Sequence, residues 1–267
     1  MAASLASSMA IDQVSVVATE GVQATVATEG VQAKQTVMLV FDESGSMLQM
    51  GEEPIQAACV IIKEQATIDP EGRVKIVMFN DTHRTVYDGP IGLADLNYSD
   101  FKPNGLTALH DAIGETITAE PEIENVICIV ATDGMENASS EKFRNKITPL
   151  IKEAREKRGW RFVFIGANQD SIEVGGQMGV VADACANFSQ DVRGDMVQLA
   201  REVSGGIRDF RSATIGLSRG QSQNVEIHLP ARDHASAAAA HMPPSVPTLS
   251  RGYACNGLRR SVGGLAT

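Results

Sequence analysis

The chain has 267 residues, 43% of them hydrophobic, and a formal net charge of −10. This length and apolar content are sufficient for one sizeable core. The negative charge disfavours nucleic acid as a ligand, because phosphate groups would be repelled. Cys59, Cys128, Cys185 and Cys255 lie far apart without a CxxC or Cys/His metal spacing, as is typical of separate buried thiols in a reducing compartment.

The first 34 residues contain a tandem repeat, since residues 17–25 read VATEGVQAT and residues 26–34 read VATEGVQAK. Two copies are too few for a repeat architecture, so residues 1–34 are predicted to form a flexible leader. The beginning of the chain lacks the basic and apolar regions of a secretory signal, and no run is long enough to span a membrane. We therefore expect a cytoplasmic protein without membrane insertion, although the Ala/Ser-rich start leaves plastid targeting open.

Residues 35–205 are predicted to form the folded domain, which begins with a buried strand in the apolar run TVMLVFD. A helix then begins near Pro54, since proline suits the first helical turn and apolar residues recur at helical spacing. Next, RVKIVMF and RTVYD flank NDTH, which predicts an antiparallel hairpin. A further helix is expected over residues 108–119.

The second half of the domain continues the alternation of strands and helices. NVICIVAT and WRFVFIG are predicted strands, separated by a charged helix over residues 141–157, and residues 171–179 and 190–204 are predicted helices. Strands that alternate with helices of this length predict an α/β fold: a doubly wound, mostly parallel sheet with one antiparallel edge strand and helices on both faces. Residues 206–267, rich in Ala, Pro, Ser and Gly, are predicted to be a disordered tail.

Candidate functional residues follow two of the predicted strands. In open sheets of this kind, ligands bind outside the carboxyl ends of the strands. DESGS follows the first strand, ATDGMEN follows NVICIV, and a Gly-containing turn with Thr107 lies between them in sequence. Asp42, Ser44, Ser46, Thr107 and Asp133 supply hydroxyl and carboxylate oxygens, which suit a hard cation: Mg²⁺ first, with Mn²⁺ or Ca²⁺ as alternatives.

These five residues, in this order and at strand ends, resemble the metal-ion-dependent adhesion site (MIDAS) of von Willebrand factor type A (vWA) domains. The resemblance covers roughly residues 36–205. It implies a Rossmann-like fold and a protein that is not an enzyme. It implies that Ser44, Ser46 and Thr107 contact the ion, while Asp42 and Asp133 act largely through bound water. It also implies that an Asp or Glu of a protein partner completes the coordination.

The sequence therefore predicts a cation-dependent protein-binding module. One alternative is a regulatory or assembly subunit of an ATPase-type complex built on the same fold. Another is a Mg²⁺-dependent phosphohydrolase of the haloacid dehalogenase-like superfamily, in which an Asp nucleophile also ends the first strand. Ser44 stands where those enzymes carry a second Asp as general acid and base, and Ala167 stands where an acidic metal ligand is expected, which disfavours catalysis.

Overall fold

The structure, a computed structural model, describes residues 35–167 and 170–232. The chain divides into two units, residues 1–31 and 32–267, and the described residues lie in the second. The predicted leader, residues 1–34, lies outside the described residues. Within them, no helix is long and apolar enough to cross a membrane.

The centre of the fold is a six-stranded sheet in the order β3-β2-β1-β4-β5-β6. Only the β2–β3 pair is antiparallel, which makes β3 an antiparallel edge strand, and every other pair is parallel. The predicted fold class is therefore confirmed. The strands are β1 (Thr36–Asp42), β2 (Arg73–Phe79), β3 (His83–Pro90), β4 (Val126–Thr132), β5 (Arg161–Ala167) and β6 (Cys185–Phe188).

Helices cover both faces of this sheet. The helices are α1 (Glu53–Ile68), α2 (Leu109–Thr118), α3 (Glu141–Arg144), α4 (Ile147–Arg158), α5 (Ser171–Met178), α6 (Asp195–Thr214) and α7 (Arg219–Ser222). Residues of α1 and α6 pack against one face, and residues of α2, α4 and α5 pack against the other. Every residue of β1 is buried, as expected for a strand between two helical layers.

The charged helix predicted over residues 141–157 is interrupted. α3 ends at Arg144 and α4 begins at Ile147. Pro149 lies in the first turn of α4, where its missing N–H is harmless, but in a continuous helix its ring would clash with the carbonyl of residue 145. The break therefore follows from a proline that the periodicity alone does not reveal.

The folded part of the chain extends beyond the predicted boundary at residue 205. That boundary falls inside α6, which continues to Thr214. The chain is still packed at Ile227, which is 1% exposed and belongs to the core cluster of α1 and α6. The disordered tail predicted from residue 206 is therefore wrong for residues 206–232, because an amphipathic helix and buried apolar side chains stabilise them, while residues 233–267 lie outside the described part of the chain.

One local feature was not predicted. β6 contains only the four residues CANF, too short a run to be distinguished from a loop. Cys128 and Cys185 are free and buried, as their place in the sequence predicts.

Candidate metal centre

The five predicted site residues lie at the carboxyl ends of β1 and β4 and in the loop before α2. β1 is hydrogen-bonded to β2 on one side and to β4 on the other. From β1 the chain first adds β2 and β3 in one direction, and later β4, β5 and β6 in the other. The site therefore lies at the point where the strand order reverses, which is where ligands bind in open α/β sheets.

The first loop directs its side chains into the site through a short turn. Asp42 is the last residue of β1, and its Oδ1 accepts a hydrogen bond of 2.6 Å from the backbone N–H of Ser44. A 3₁₀ helix, Gly45–Met50, begins immediately afterwards. The hydroxyl oxygens of Ser44 and Ser46 lie 3.1 Å apart, so both hydroxyls are on the same side of the loop.

Ser46 connects the first loop to the loop after β4. Its hydroxyl donates a 2.6 Å hydrogen bond to Oδ1 of Asp133. Asp42 makes a second connection, because its Oδ2 accepts a 2.6 Å hydrogen bond from the hydroxyl of Thr132. The register of the parallel β1–β4 pair places Phe41 beside Ala131, so the next residues of both strands, Asp42 and Thr132, are neighbours.

The loop that carries Thr107 is bound to both of these loops. On one side, the backbone N–H of Gly45 donates to the carbonyl of Gly105 at 3.1 Å. On the other side, the N–H of Thr107 donates to Oδ1 of Asn137 at 2.9 Å. The N–H of Asn137 in turn donates to the carbonyl of Thr107 at 3.0 Å. Three loops distant in sequence are thus held together by backbone hydrogen bonds.

Thr107 is not the N-cap of α2. The capping position is Ala108, and no side-chain hydrogen bond caps this helix. The side chain of Thr107 is buried, and no hydrogen bond of its hydroxyl to another described residue is found. The hydroxyl of Thr107 is therefore not used to cap a helix.

Gly134 shows how closely the oxygen atoms approach each other. A Cβ built on Gly134 would lie 2.9 Å from Oγ1 of Thr107, 3.6 Å from Oγ of Ser46 and 3.7 Å from Oδ2 of Asp42. Oxygen atoms from all three loops therefore surround the space that a side chain would occupy. Glycine at this position keeps that space open.

The carboxylates of the site are buried without a basic partner. Burial raises the pKa of Asp42 from 3.8 to about 6, against the hydrogen bonds from Thr132 and Ser44 that lower it. Burial also raises the pKa of Asp133, opposed by its hydrogen bonds from Ser46 and Gln190. Within residues 35–167 and 170–232, neither carboxylate forms an ion pair. The charged form of both groups is thus disfavoured until a cation is present.

Glu43, between the two site residues Asp42 and Ser44, points away from the site. Its side chain is only 4% exposed and forms an ion pair with Arg84 at 2.8 Å. Its Oε2 also accepts a hydrogen bond of 2.9 Å from the backbone N–H of Lys102. Alternation along the extended chain turns Glu43 toward β3 and the loop before α2, where Arg84 compensates its charge.

Two polar residues of the site were missed by the sequence analysis. Thr132 immediately precedes Asp133 at the end of β4, so parallel pairing of β1 with β4 could have revealed its contact with Asp42. Gln190 follows β6 and donates from Nε2 to Oδ2 of Asp133. No motif marks Gln190, since β6 itself was not predicted.

His110 is not one of the residues whose oxygen or nitrogen atoms lie nearest the space at Gly134. Its backbone N–H donates to Oε2 of Glu136 at 3.0 Å, and burial lowers the pKa of its half-buried side chain. No cluster of three His, Cys, Asp or Glu side chains suited to a metal occurs in the described part of the chain. Any cation here would therefore depend on hydroxyl groups, as hard cations do more readily than zinc.

Comparisons with known proteins give likenesses of fold. No family model matches the sequence, and no curated protein matches it. A von Willebrand factor type A protein from Catenulispora acidiphila is similar at 16% identity and a TM-score of 0.48, over 65% of this chain and 42% of that one. The SpRpn10 VWA domain is similar at 16% identity and a TM-score of 0.43, over 58% of this chain and 87% of that one.

A third similar structure is the ArnB paralog VWA2 from Sulfolobus acidocaldarius, at 18% identity and a TM-score of 0.38, over 64% of this chain and 44% of that one. The chain thus spans less than half the length of the Catenulispora and Sulfolobus proteins. Identities and TM-scores at this level carry no family assignment. The resemblance to vWA domains rests on the five residues and their placement at strand ends.

Proposed function

We propose that this chain is a vWA-type protein-binding module that captures an acidic side chain of a partner through a bound divalent cation, Mg²⁺ first and Mn²⁺ or Ca²⁺ as alternatives. Asp42, Ser44, Ser46, Thr107 and Asp133 would hold the ion. The observation that carries the proposal is the convergence of hydroxyl and carboxylate oxygens from three loops around Gly134.

The side chains of the site fit a hard cation in type and in charge. Hydroxyl and carboxylate oxygens are ligands that Mg²⁺ and Ca²⁺ prefer. The raised pKa values of Asp42 and Asp133 reflect two buried carboxylates whose charge lacks compensation, and a divalent ion would supply it. The hydrogen bond between Ser46 and Asp133 would be exchanged for contacts with the ion or its water.

The mixture of ligands explains why a partner's carboxylate would be attracted. Three neutral hydroxyls leave more of the positive charge of the ion uncompensated than three carboxylates would. An external Asp or Glu then completes the coordination, and the affinities for metal and partner increase together, since coupling between two ligands is reciprocal. A bound metal ion is the largest local charge in such a site, so its removal abolishes the attraction.

The metal part of the proposal is tested by titrating the purified chain with Mn²⁺ and measuring free Mn²⁺ by electron paramagnetic resonance. We expect saturable binding that Mg²⁺ displaces and that Ser46→Ala and Asp133→Asn each weaken at least about tenfold, as loss of a ligand does. Asp209→Asn is the matched control, because Asp209 is an exposed carboxylate of α6. Equal binding by all four proteins would refute the assignment of the site.

The partner is sought by affinity capture from the native extract in Mg²⁺ and in EDTA, with Asp42→Ala as the control bait. We expect proteins that are recovered only by the wild-type chain in Mg²⁺. Recovery of the same proteins under all conditions would contradict the metal-bridged mechanism. The identities of the recovered proteins would show whether the partner belongs to an ATPase-type complex, which is the alternative function within this fold.

The phosphohydrolase alternative has less support from the site. Ser44, which stands in place of a second acid, has its hydroxyl beside that of Ser46, and Ala167 ends β5 without an acidic group. A leaving group would therefore lack a proton donor, a loss of about 10²- to 10⁴-fold in rate. Turnover of a generic phosphate ester that disappears in Asp42→Asn would overturn the binding function.

A further inference from the structure

A cavity of about 330 Å³ lies beside the candidate metal centre. Two of its lining residues are close in sequence to predicted ligands, since Leu109 follows Thr107 by two positions and Met135 follows Asp133 by two. The remaining walls come from α3, α4 and α5 and from the neighbours His110 and Glu136. The lining residues that matter to the argument are Leu109, Met135, Arg144, Ile147, Val174 and Met178.

The lining is mainly apolar and contains two methionines. Met178 is buried, with 2% exposure, whereas Met135 is 72% exposed. Methionine is flexible and makes favourable contacts between its sulfur and aromatic rings. The volume is at the low end for small-molecule pockets and is sufficient for one aromatic side chain.

The two charged residues at this cavity differ in how many hydrogen bonds and ion pairs they already form with the chain. Both carboxylate oxygens of Glu136 accept hydrogen bonds from the chain itself: Oε1 from the backbone of Ala138 and Ser139, and Oε2 from the backbone of His110. Among the described residues, the guanidinium of Arg144 donates only to the carbonyl oxygen of Ser139 and forms no ion pair. The cation of the cavity is thus available to an acidic segment, whereas the carboxylate is already engaged.

Exposed apolar side chains also occur close to the metal centre. Leu48 is 63% exposed and Leu106 is 56% exposed, and each lies within two residues of Ser46 or Thr107. With Met135, every loop of the site presents a large apolar side chain to solvent. Apolar groups exposed around a polar site are typical of surfaces that bind proteins.

We infer that the partner's segment carries an aromatic side chain within a few residues of its metal-binding acid, and that this aromatic side chain occupies the cavity lined by Met135 and Met178. The inference rests on the proposed function and specifies the partner that this site selects. Arg144 would attract the acidic segment, and burial of the aromatic ring would add affinity that the carboxylate alone lacks.

The test uses the full chain with ¹³C-labelled methionine methyl groups and short synthetic peptides in Mg²⁺. One peptide set carries Asp and Phe separated by one, two or three positions in either direction; the comparison peptides replace Phe by Gly or Asp by Asn. We expect the best Asp/Phe peptide to have a Kd at least about tenfold below that of the Asp-only peptide, as for partial burial of an aromatic ring. The methyl signals of Met135 and Met178 should shift with this peptide and not in EDTA.

Substitutions in and near the cavity test whether the gain in affinity from Phe comes from the cavity. Val174→Phe fills it and should abolish the advantage of Phe without changing the Kd of the Asp-only peptide. Ile172→Phe, at an exposed position of the same helix, is the matched control. Met135→Ala changes an exposed residue, so it tests the same contact even if Val174→Phe does not fold.

The outcomes separate this inference from the proposed function. Mg²⁺-dependent binding of Asp-only and Asp/Phe peptides with equal Kd would refute the aromatic subsite and leave the metal mechanism standing. The aromatic subsite would also be refuted if the Asn/Phe peptide in EDTA bound as tightly as the Asp/Phe peptide in Mg²⁺, since the cavity would then act separately from the metal. Failure of every Asp peptide to bind in Mg²⁺ would overturn both.

Discussion

Replacing Asp42 by Asn should stabilise the metal-free protein at neutral pH. The Asp42 carboxyl has a pKa of about 6 in the folded chain against an ordinary value of 3.8. At pH values below 3.8, the group is protonated in both folded and unfolded chains and does not oppose folding. As pH rises from 3.8 through 6, the unfolded chain loses this proton first, so folding stability falls.

The size of this effect follows from the two pKa values. One pKa unit corresponds to about 1.4 kcal/mol, so the charged carboxylate costs about 3 kcal/mol of folding free energy well above pH 6. About 1 kcal/mol of that cost is already present near pH 4.5 and nearly all of it near pH 7.5. The advantage of Asp42→Asn over wild type should therefore grow by about 2 kcal/mol between those two pH values. Asn can keep the acceptor for the backbone N–H of Ser44, and its amide can donate to the hydroxyl oxygen of Thr132 in place of the hydrogen bond that Asp42 accepts there.

Urea unfolding in EDTA at several pH values measures this difference, with fluorescence of the single tryptophan, the buried Trp160, as the signal. Saturating Mg²⁺ should stabilise the wild type and not Asp42→Asn. A difference in unfolding free energy that does not change with pH would refute the reasoning from burial. Equal stabilisation of both proteins by Mg²⁺ would show that the carboxylate is not part of the cation site.

Three further outcomes are expected. Gly134→Ala should weaken Mn²⁺ binding at least about tenfold, because its Cβ would approach the hydroxyl of Thr107 at 2.9 Å. The control is Gly176→Ala, whose added Cβ has no atom within 4 Å; it should leave Mn²⁺ binding unchanged and stabilise α5 by about 0.5–1 kcal/mol. Arg84→Ala should lower the free energy of unfolding by about 1–3 kcal/mol. This loss is smaller than for a fully buried ion pair because Arg84 is 37% exposed. Adding Glu43→Gln to Arg84→Ala should recover part of the loss, as measured by urea unfolding. Ile227→Ala should cost about 2–5 kcal/mol, and an unchanged urea midpoint would show that residues beyond α6 contribute nothing to the fold.

The sequence was sufficient for the architecture because the strands are long apolar runs and the helices show clear periodicity. The antiparallel edge, β2 and β3, followed from the polar turn between two such runs. β6 and the break before α4 could not be predicted in the same way. The first is too short to show a pattern, and the second depends on how one proline fits a helical turn.

The candidate site residues could be proposed from the sequence because each follows a recognisable strand or lies in a turn. Their contacts depend on the strand register, which the sequence does not display: Thr132 reaches Asp42 only because β1 and β4 pair at that register. Gln190 comes from a part of the chain without a motif. The burial of Glu43 was missed because its partner, Arg84, lies on a different strand and no local pattern links them.

The central position of β1 has a mechanical consequence. A partner attached through a cation at Asp42 would pull on the carboxyl end of β1, along the axis of the strand. β1 is hydrogen-bonded to β2 and β4 on both sides along its whole length, so such a load shears two rows of hydrogen bonds together instead of breaking them one after another. The attachment point is therefore joined to a strand that is held along both of its edges.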